Sequence, residues 1–411
     1  MFKGFSRQAF RNQSMKVLTI SASDYTVGGA ARVAWDLHRA AVIQDASSRM
    51  YTGKKCSDDA TVVKIRRPLY TKALSYFLAN DIDFFRTDYL LRSPEFLSAD
   101  IVHCHNLNGW FFNLGTMIKM SKIKPVIWTL HDMWALTPHS GHTTRTEEIK
   151  NGLFKCSSHD LYPITLWDND WYLSRRKNRL YAQGDFHVVT PCYWLKELVG
   201  KTCLSPKFFD VIPNGIDTDT FKMRDRMALK KSLGFDETKP LVLFIGSSLL
   251  TNPFKGFSDF CWLADDWPNQ EVSFVALGAE DDGSYGKVKL IRAVLDKRKV
   301  SEYLSSADVL VLSSHHEVFP LVILEALASG VPVVAYDVGG VREAIEGLPA
   351  CRTVPLRDKA SLSKKLKESL DEFTSNSERI SAYLRSVAVE KYSSSVMVKA
   401  YFELYKRILD I

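Results

Sequence analysis

The stretch 313-SSHHEVFPLVILEALASGVPVVAYDVGG-340 decides the reading of this chain. Pro320 fits the first turn of a helix, where its missing N–H costs nothing, and LVILEALAS continues with strong helix formers to Gly330, a fitting C-cap. Glu317 therefore precedes the helix, and Glu325, eight residues on, lies inside it. The amides of Leu321 and Val322 would point off the helix N-terminus, where the macrodipole favours an anion such as a diphosphate. VPVVAY reads as a short buried strand. Asp337, Gly339 and Gly340 supply the turn at its carboxyl end, the side on which open α/β sheets bind ligands. Spacing alone leaves two readings open: an anion site flanked by carboxylates, or two solvated glutamates around a core helix.

The whole pattern is a Glu, seven residues, a second Glu, then Ala-x-Ala-x-Gly-x-Pro-Val and Gly-Gly. It resembles the signature of the family-4 retaining glycosyltransferases, a group rich in bacterial polysaccharide-biosynthesis enzymes. The resemblance implies an α/β fold of the GT-B type, with two Rossmann-like domains facing each other across a cleft. It also implies that Glu317 contacts the transferred sugar and Glu325 the ribose of the donor. Many members have Phe-Gly after the first Glu, whereas this chain has Phe319-Pro320, a departure that some branches share.

Composition fits that class. A chain of 411 residues is too long for one ordinary domain and comfortable for two of about 200 residues each. Its 46% hydrophobic and 25% charged content is ordinary for a water-soluble fold, and no apolar run approaches the roughly 18 residues of a membrane span. Seven cysteines with no C-x-x-C pair give no disulfide framework and suit a reducing compartment, so the cytoplasm is the expected location. The net charge of +7 is unevenly spread: residues 1–213 hold 28 Lys+Arg against 19 Asp+Glu, and residues 214–411 hold 26 against 28. A basic first half could meet anionic lipid headgroups or a pyrophosphate-linked acceptor, or be a solvated surface with no partner. Scattered RRPLYTK, KIKP and SRRKNR do not form the concentrated stripe of a nucleic-acid reader.

Residues 1–14, with phenylalanines at 2, 5 and 10 and no acid, read either as a short membrane-surface helix or as sequence upstream of a start at Met15. The second reading is favoured, because MKVLTIS opens directly into a strand. Gly28-Gly29 follows that strand at a helix start, where glycine lets a ligand approach the backbone. By position it resembles the family's N-domain glycine loop, which faces the donor diphosphate and the acceptor across the cleft. ADIVHCHNLNG and PVIWTLHD place His103, His105, His131 and Asp132 at the ends of two further strands. One histidine at a strand end is usually structural; several at neighbouring ends argue for a cleft. H-x-H resembles the family strand whose second His reaches the donor sugar near its phosphate, a role that falls on His105.

Residues 139–159 interrupt the alternation of strand and helix. HSGH and CSSH have zinc-like spacing on paper, but a mobile loop on the acceptor side is the preferred reading. FFDVIPNGIDTDTF then marks a crossover, its Pro-Asn-Gly a turn signal that also resembles the family's interdomain linker. PLVLFIGSS gives a strand ending at Gly246, and LLTNPFKGF carries Lys255-Gly256. Family members usually have Gly-Arg before that Lys-Gly, both cations holding the diphosphate. Here Ser247 or Ser248 stands at the arginine position, and a hydroxyl does not replace a bidentate guanidinium. The interval between AEDD and YLSSADV looks short, as if one helix or strand were reduced. The closing KAYFELYKRILDI is expected to return to the first domain.

These observations set the expectations: an extension over 1–14, an acceptor domain over 15–213, a donor domain over 214–390 and a returning helix over 391–411. The expected activity is retaining transfer of a sugar from a nucleoside diphosphate sugar to a glycan or lipid-linked oligosaccharide acceptor in cell-surface polysaccharide biosynthesis. Glu317, His105 and Lys255 carry the chemistry. Gly28, Gly29, Gly246, Ser247, Ser248, Lys255, Phe319, Pro320, Leu321, Val322 and Glu325 hold the donor. No metal or other cofactor is expected, nor a nucleic-acid partner; peripheral attachment to the inner face of the membrane is the one addition to a cytoplasmic location. Two alternatives remain open, a hydrolysing nucleotide-sugar epimerase of the same fold and a nucleotide-sugar-binding protein of weak catalysis.

Overall fold

The computed structural model describes residues 15–25, 28–157, 164–204, 206, 208–268 and 271–410. The reading of residues 1–14 as an extension, and His159 of the CSSH pair, lie outside these. The chain divides into two compact units, Met1–Pro213 with Val398–Ile411, and Asn214–Met397. The return to the first unit thus falls at Val398, inside the last helix Ser394–Leu409, later than residue 391.

In the first unit, β1 (Val17–Ser23), β2 (Arg49–Lys54), β3 (Val62–Lys64), β4 (Ile101–Cys104) and β5 (Val126–Thr129) alternate with helices. After a hairpin of β6 (Ile149–Lys150) and β7 (Leu153–Phe154) come β8 (His187–Thr190) and β9 (Phe208–Val211). The main sheet runs β3-β2-β1-β4-β5-β8-β9, and its pairs are parallel. Strands of a helix-covered parallel sheet are apolar on both faces, which is why VLTISAS, IVHC, VIWT and HVVT read as continuous runs and not as alternation. Trp128 anchors the core, its ring 5.9 Å from Phe186 and 6.1 Å from Tyr181. The returning helix adds Tyr401, whose hydroxyl lies 3.0 Å from Thr129 Oγ1, and Tyr405, 2.6 Å from His103 Nδ1.

The segment after His139 is not the open loop that its polar composition suggested. Its described part forms the β6–β7 hairpin, with Leu153 and Phe154 fully buried. Two apolar residues were enough to pack it, against a background of Thr and Glu that masked them in sequence.

In the second unit, β10 (Leu241–Ile245), β11 (Ser273–Ala279), β12 (Gly283–Tyr285), β13 (Val288–Arg292), β14 (Val309–Leu312), β15 (Val333–Tyr336) and β16 (Arg352–Val354) form a sheet of order β12-β13-β11-β10-β14-β15-β16. Its pairs are parallel except β12–β13. This antiparallel edge corrects the expectation of an all-parallel, shortened region after residue 279. The interval holds a tight hairpin and the helix Lys297–Ser306, compressed because a hairpin needs no crossover. The Pro-Asn-Gly turn is fixed within the same unit: Asn214 Nδ2 donates to Phe319 O at 3.0 Å, and a Cβ on Gly215 would meet Met397 Cβ and Ser394 Cα at 2.8 Å. Among the described residues, no helix is long and apolar enough to cross a membrane.

Candidate active site

Lys255 and Glu317, 62 positions apart in sequence, are brought together by two glycine-dependent contacts. Beyond β14, Ser313 Oγ donates to Gly256 O at 2.8 Å and His315 N donates to Phe254 O at 2.7 Å. Gly256 has φ +67°, and a Cβ there would lie 1.8 Å from Ser313 O, so only glycine permits the approach. The neighbouring Lys255 then places Nζ 2.7 Å from Glu317 Oε1, an ion pair whose side chains are 29% and 13% exposed.

The Gly-Gly turn after β15 holds Glu317 from the other side. A Cβ on Gly339 (φ +60°) would fall 2.0 Å from Glu317 O, and Gly340 N donates to Val318 O at 2.7 Å. Its observed work is therefore to clamp the backbone that carries Glu317. Pro320 is the N-cap of the helix Leu321–Ala328, one position earlier than the first-turn placement read from sequence, and no side chain caps the helix there. The amides of Leu321 and Val322 begin that helix and have no partner within it. Phe319 and Pro320 are buried, Phe319 edge-on to Tyr392 at 6.0 Å, and Glu325 is buried in the helix.

Behind the pair stands a network that sequence reasoning missed. Asp259 Oδ2 accepts from His315 Nε2 at 2.9 Å and from the Tyr336 hydroxyl at 3.1 Å, while Lys359 Nζ lies 3.0 Å from Oδ1. Burial alone would raise this carboxyl; the bonds from His315, Lys359 and Tyr336 outweigh it and hold Asp259 below the usual carboxylate range. The network ties β14, β15 and the helix Phe257–Asp266 together around the Lys255 loop. The only sequence signal was an aspartate on an otherwise apolar helix face.

Gly246 follows β10 and donates its amide to Leu277 O at 3.1 Å; a Cβ on Gly278 would come 1.6 Å from Gly246 O. Ser247 and Ser248 are exposed, and Ser248 adopts φ +54° with its carbonyl accepting from Thr251 N and Asn252 N.

In the first unit, Gly28 (φ +78°) and Gly29 open the helix Gly28–Gln44 and are exposed; a Cβ on Gly28 would meet nothing within 4 Å. His103 is not a cleft residue. It is fully buried, with both nitrogens committed, Nδ1 to Tyr405 and Nε2 to Thr129 Oγ1 at 2.8 Å. His105 is also fully buried, its Nδ1 3.0 Å from His131 Nε2 and the two rings stacked 5.3 Å apart; its Nε2 has no hydrogen-bond partner among the described residues. Burial pushes His103 down to about 3 and His131 to about 4, and drives His105 well below the usual imidazole range, helped by the two neighbouring rings. The three imidazoles are therefore neutral at physiological pH. Asp132 accepts from Asn106, Asn108 and Trp134 N, which fixes the loop after β5.

Two family models match this chain: Glycosyltransferase Family 4 over residues 27–220 and Glycosyl transferases group 1 over residues 239–372. An Escherichia coli K12 protein assigned to colanic acid biosynthesis, the glycosyl transferase WcaC, is 27% identical over 353 residues, covering 78% of this chain and 82% of its own length. Among solved structures, the sucrose-phosphate synthase of Thermosynechococcus elongatus superposes with a TM-score of 0.69 at 14% identity, covering 96% of this chain and 99% of that one. Anabaena Alr3699/HepE in complex with UDP gives 0.67 at 16% identity, covering 96% and 100%; the same protein has been solved with UDP-glucose. The two matched models cover most of the chain and fall on the two units that carry parallel sheets. With the glycine-clamped Lys255–Glu317 pair, they establish that this chain belongs to the family-4 glycosyltransferases and has the GT-B fold.

Proposed function

We propose that this transferase is retaining, taking a sugar from a nucleoside diphosphate donor to a glycan or lipid-linked oligosaccharide acceptor in cell-surface polysaccharide biosynthesis, with no metal in the reaction. The observation that carries the reading is the Lys255–Glu317 pair, set just ahead of the helix Leu321–Ala328. An ammonium has three donors, so Lys255 keeps two beyond the one given to Glu317. Those donors and the Leu321 and Val322 amides form a field of positive charge suited to a diphosphate. They stabilise the charge that builds on the departing diphosphate, the part a metal plays in other transferases. Ser247 and Ser248 add hydroxyls beside Gly246.

In this reading Glu317, oriented by Lys255, accepts from a sugar hydroxyl and holds the oxocarbenium-like centre for attack on the leaving-group face. Glu325 takes the ribose, Phe319 and Pro320 shape the loop between the two carboxylates, and Gly28 and Gly29 allow close backbone approach. His105 offers a neutral Nε2 to the sugar. The names of WcaC and the UDP-glucose complex of HepE support a polysaccharide pathway and a nucleotide-sugar donor.

A surface of the first unit supports a lipid-linked acceptor. Leu69 (87% exposed) and Phe77 (64%) line one apolar hollow with Tyr76, Trp110 and Ile164, and Trp167 Nε1 donates to Phe77 O at 2.9 Å. Exposed Lys72 lines the same hollow, and on the helix Asp170–Tyr181 Arg175 stacks 4.5 Å over the exposed Trp171. Aromatic side chains mixed with cations suit the headgroup region of an anionic bilayer. We accordingly place the enzyme peripherally on the cytoplasmic face of the membrane.

The deciding experiment is a thermal-shift panel of UDP-, GDP- and ADP-sugars, followed by transfer assays with the donor that stabilises and assignment of the product anomer by NMR. Retention of the donor's anomeric configuration in a glycoside product is expected. Donor consumed to a free sugar or its epimer would favour the epimerase. Donor binding with neither transfer nor hydrolysis would favour a binding protein, the reading to which the Ser247-Ser248 departure points.

A further inference from the structure

The β6–β7 hairpin has two residues in each strand, too few to be stable by pairing alone. Its base is laced by Thr143 Oγ1, which donates to Lys155 O at 2.7 Å, and by Thr144 N, which donates to Ser157 Oγ at 2.9 Å. At that base the hairpin brings Cys156 back onto His139, and Asp170, the first residue of the helix Asp170–Tyr181, closes a triangle with them. His139 and Cys156 are buried, at 1% and 6% exposure.

The triangle is unusual in that both partners address one atom. His139 Nδ1 is 3.0 Å from Asp170 Oδ1 and 3.4 Å from Cys156 Sγ, and the three ligand atoms lie within 4.8 Å of one another. A ring nitrogen carries at most one proton, and one hydrogen cannot lie in line with two acceptors. Hydrogen bonding therefore serves one edge of the triangle well and the other poorly. A cation at the centre serves all three. Metal–ligand bonds of about 2.0–2.3 Å in tetrahedral geometry set ligand atoms roughly 3.3–3.7 Å apart, close to the separations of Nδ1 from its two neighbours.

We propose that His139 Nδ1, Cys156 Sγ and Asp170 Oδ1 bind a structural transition-metal dication, with water completing the tetrahedron, and that this ion staples the hairpin to the helix Asp170–Tyr181. The imidazole, thiolate and carboxylate set is borderline-soft and selects zinc over magnesium or calcium, whose ligands are oxygens. Binding needs a thiolate and an unprotonated Nδ1, so it displaces the Cys156 proton together with the one His139 carries in its ion pair with Asp170, and no redox partner is needed. The site lies outside the residues assigned to sugar transfer and stands or falls independently of that assignment.

The test uses the full chain, untagged and purified without chelator, with total metal measured by inductively coupled plasma mass spectrometry. About one zinc per chain is expected. Chelation should lower the thermal midpoint, and zinc, not magnesium, should restore it. Cobalt(II) in place of zinc should give an intense near-ultraviolet thiolate charge-transfer band that Cys156→Ser abolishes. A parent protein that holds no metal, and whose unfolding is unmoved by chelator or added zinc, overturns the proposal and leaves a His139–Asp170 ion pair. Undiminished zinc in both Cys156→Ser and His139→Gln overturns it too, by placing the ion elsewhere. Should those variants fail to fold, the parent's metal content and chelator response decide alone.

Discussion

Lys255→Ala separates the two jobs given to this cation. The first is structural: the ammonium lies 2.7 Å from Glu317, and both side chains are less than a third exposed. Losing a charge-assisted bond of that exposure should cost about 1 kcal/mol of stability, which urea unfolding reads directly. The second is chemical. With Lys255 gone, only the Leu321 and Val322 amides and the nearby serine hydroxyls would face the departing diphosphate. Removing one such electrostatic donor costs about 2–4 kcal/mol in the transition state, or roughly 30- to 1,000-fold in kcat/KM. Steady-state turnover of the donor identified by thermal shift, with UDP binding followed by calorimetry, should show lost affinity and lost turnover in one variant. The structure also chooses the rescue. Ser248 sits at φ +54° with its carbonyl engaged, a conformation strained for arginine, whereas Ser247 is exposed and adjacent. Ser247→Arg in the Lys255→Ala background should recover part of kcat/KM, because a guanidinium offers the same oxygens a bidentate fork. A folded Lys255→Ala protein with parental kcat/KM would refute the reasoning and move the phosphate site elsewhere.

Glu317→Ala should depress turnover by on the order of 100-fold while UDP binding survives, and unchanged turnover in a folded variant would remove Glu317 from the chemistry. Gly339→Ala forces a Cβ to within 2.0 Å of Glu317 O at φ +60°, so it should cost at least about 2 kcal/mol and lower activity with it; a parental urea midpoint would contradict the clamp. For the buried imidazoles the folded values, about 3 for His103 and about 4 for His131, lie below the ordinary 6.5. The unfolded chain therefore binds more protons as pH falls, and the stability these rings contribute is complete above about pH 6.5 and lost below it, at up to about 1.4 kcal/mol per pH unit for each ring. An unfolding midpoint that stays flat from pH 7.5 to pH 5 would rule this out. In liposome flotation, the chain should associate with anionic vesicles and not neutral ones, release as salt shortens the Debye length to roughly 3 Å at 1 M, and weaken in Leu69→Asp/Phe77→Asp; equal partitioning into both vesicle types, or into neither, would reject the membrane face.

Local chemistry made much of this protein legible in its sequence. Short buried runs such as VVAY and VIWT, repeated between helical stretches, fit strands of a covered parallel sheet, and Gly-Gly, Lys-Gly and Pro-Asn-Gly each announce a backbone geometry that other residues resist. The family motif rests on such short-range constraints, so Glu317, Glu325 and Lys255-Gly256 could be found without coordinates. What each glycine approaches could not be found that way. That Gly339 abuts Glu317 O, and Gly256 abuts Ser313 O, depends on strands that pair side by side while their connections run through helices. The same limit hid Asp259, whose partners His315, Tyr336 and Lys359 come from three separate segments. It also left His103 looking like a cleft residue, because the hydroxyl that satisfies it belongs to Tyr405, 302 positions away. Composition misled at the β6–β7 hairpin, where burial of Leu153 and Phe154 outweighs a polar sequence around them. Periodicity and turn chemistry act over a few residues and can be read along the chain. Burial, ion pairing and the partner of a hydrogen bond are settled only when distant segments meet in space.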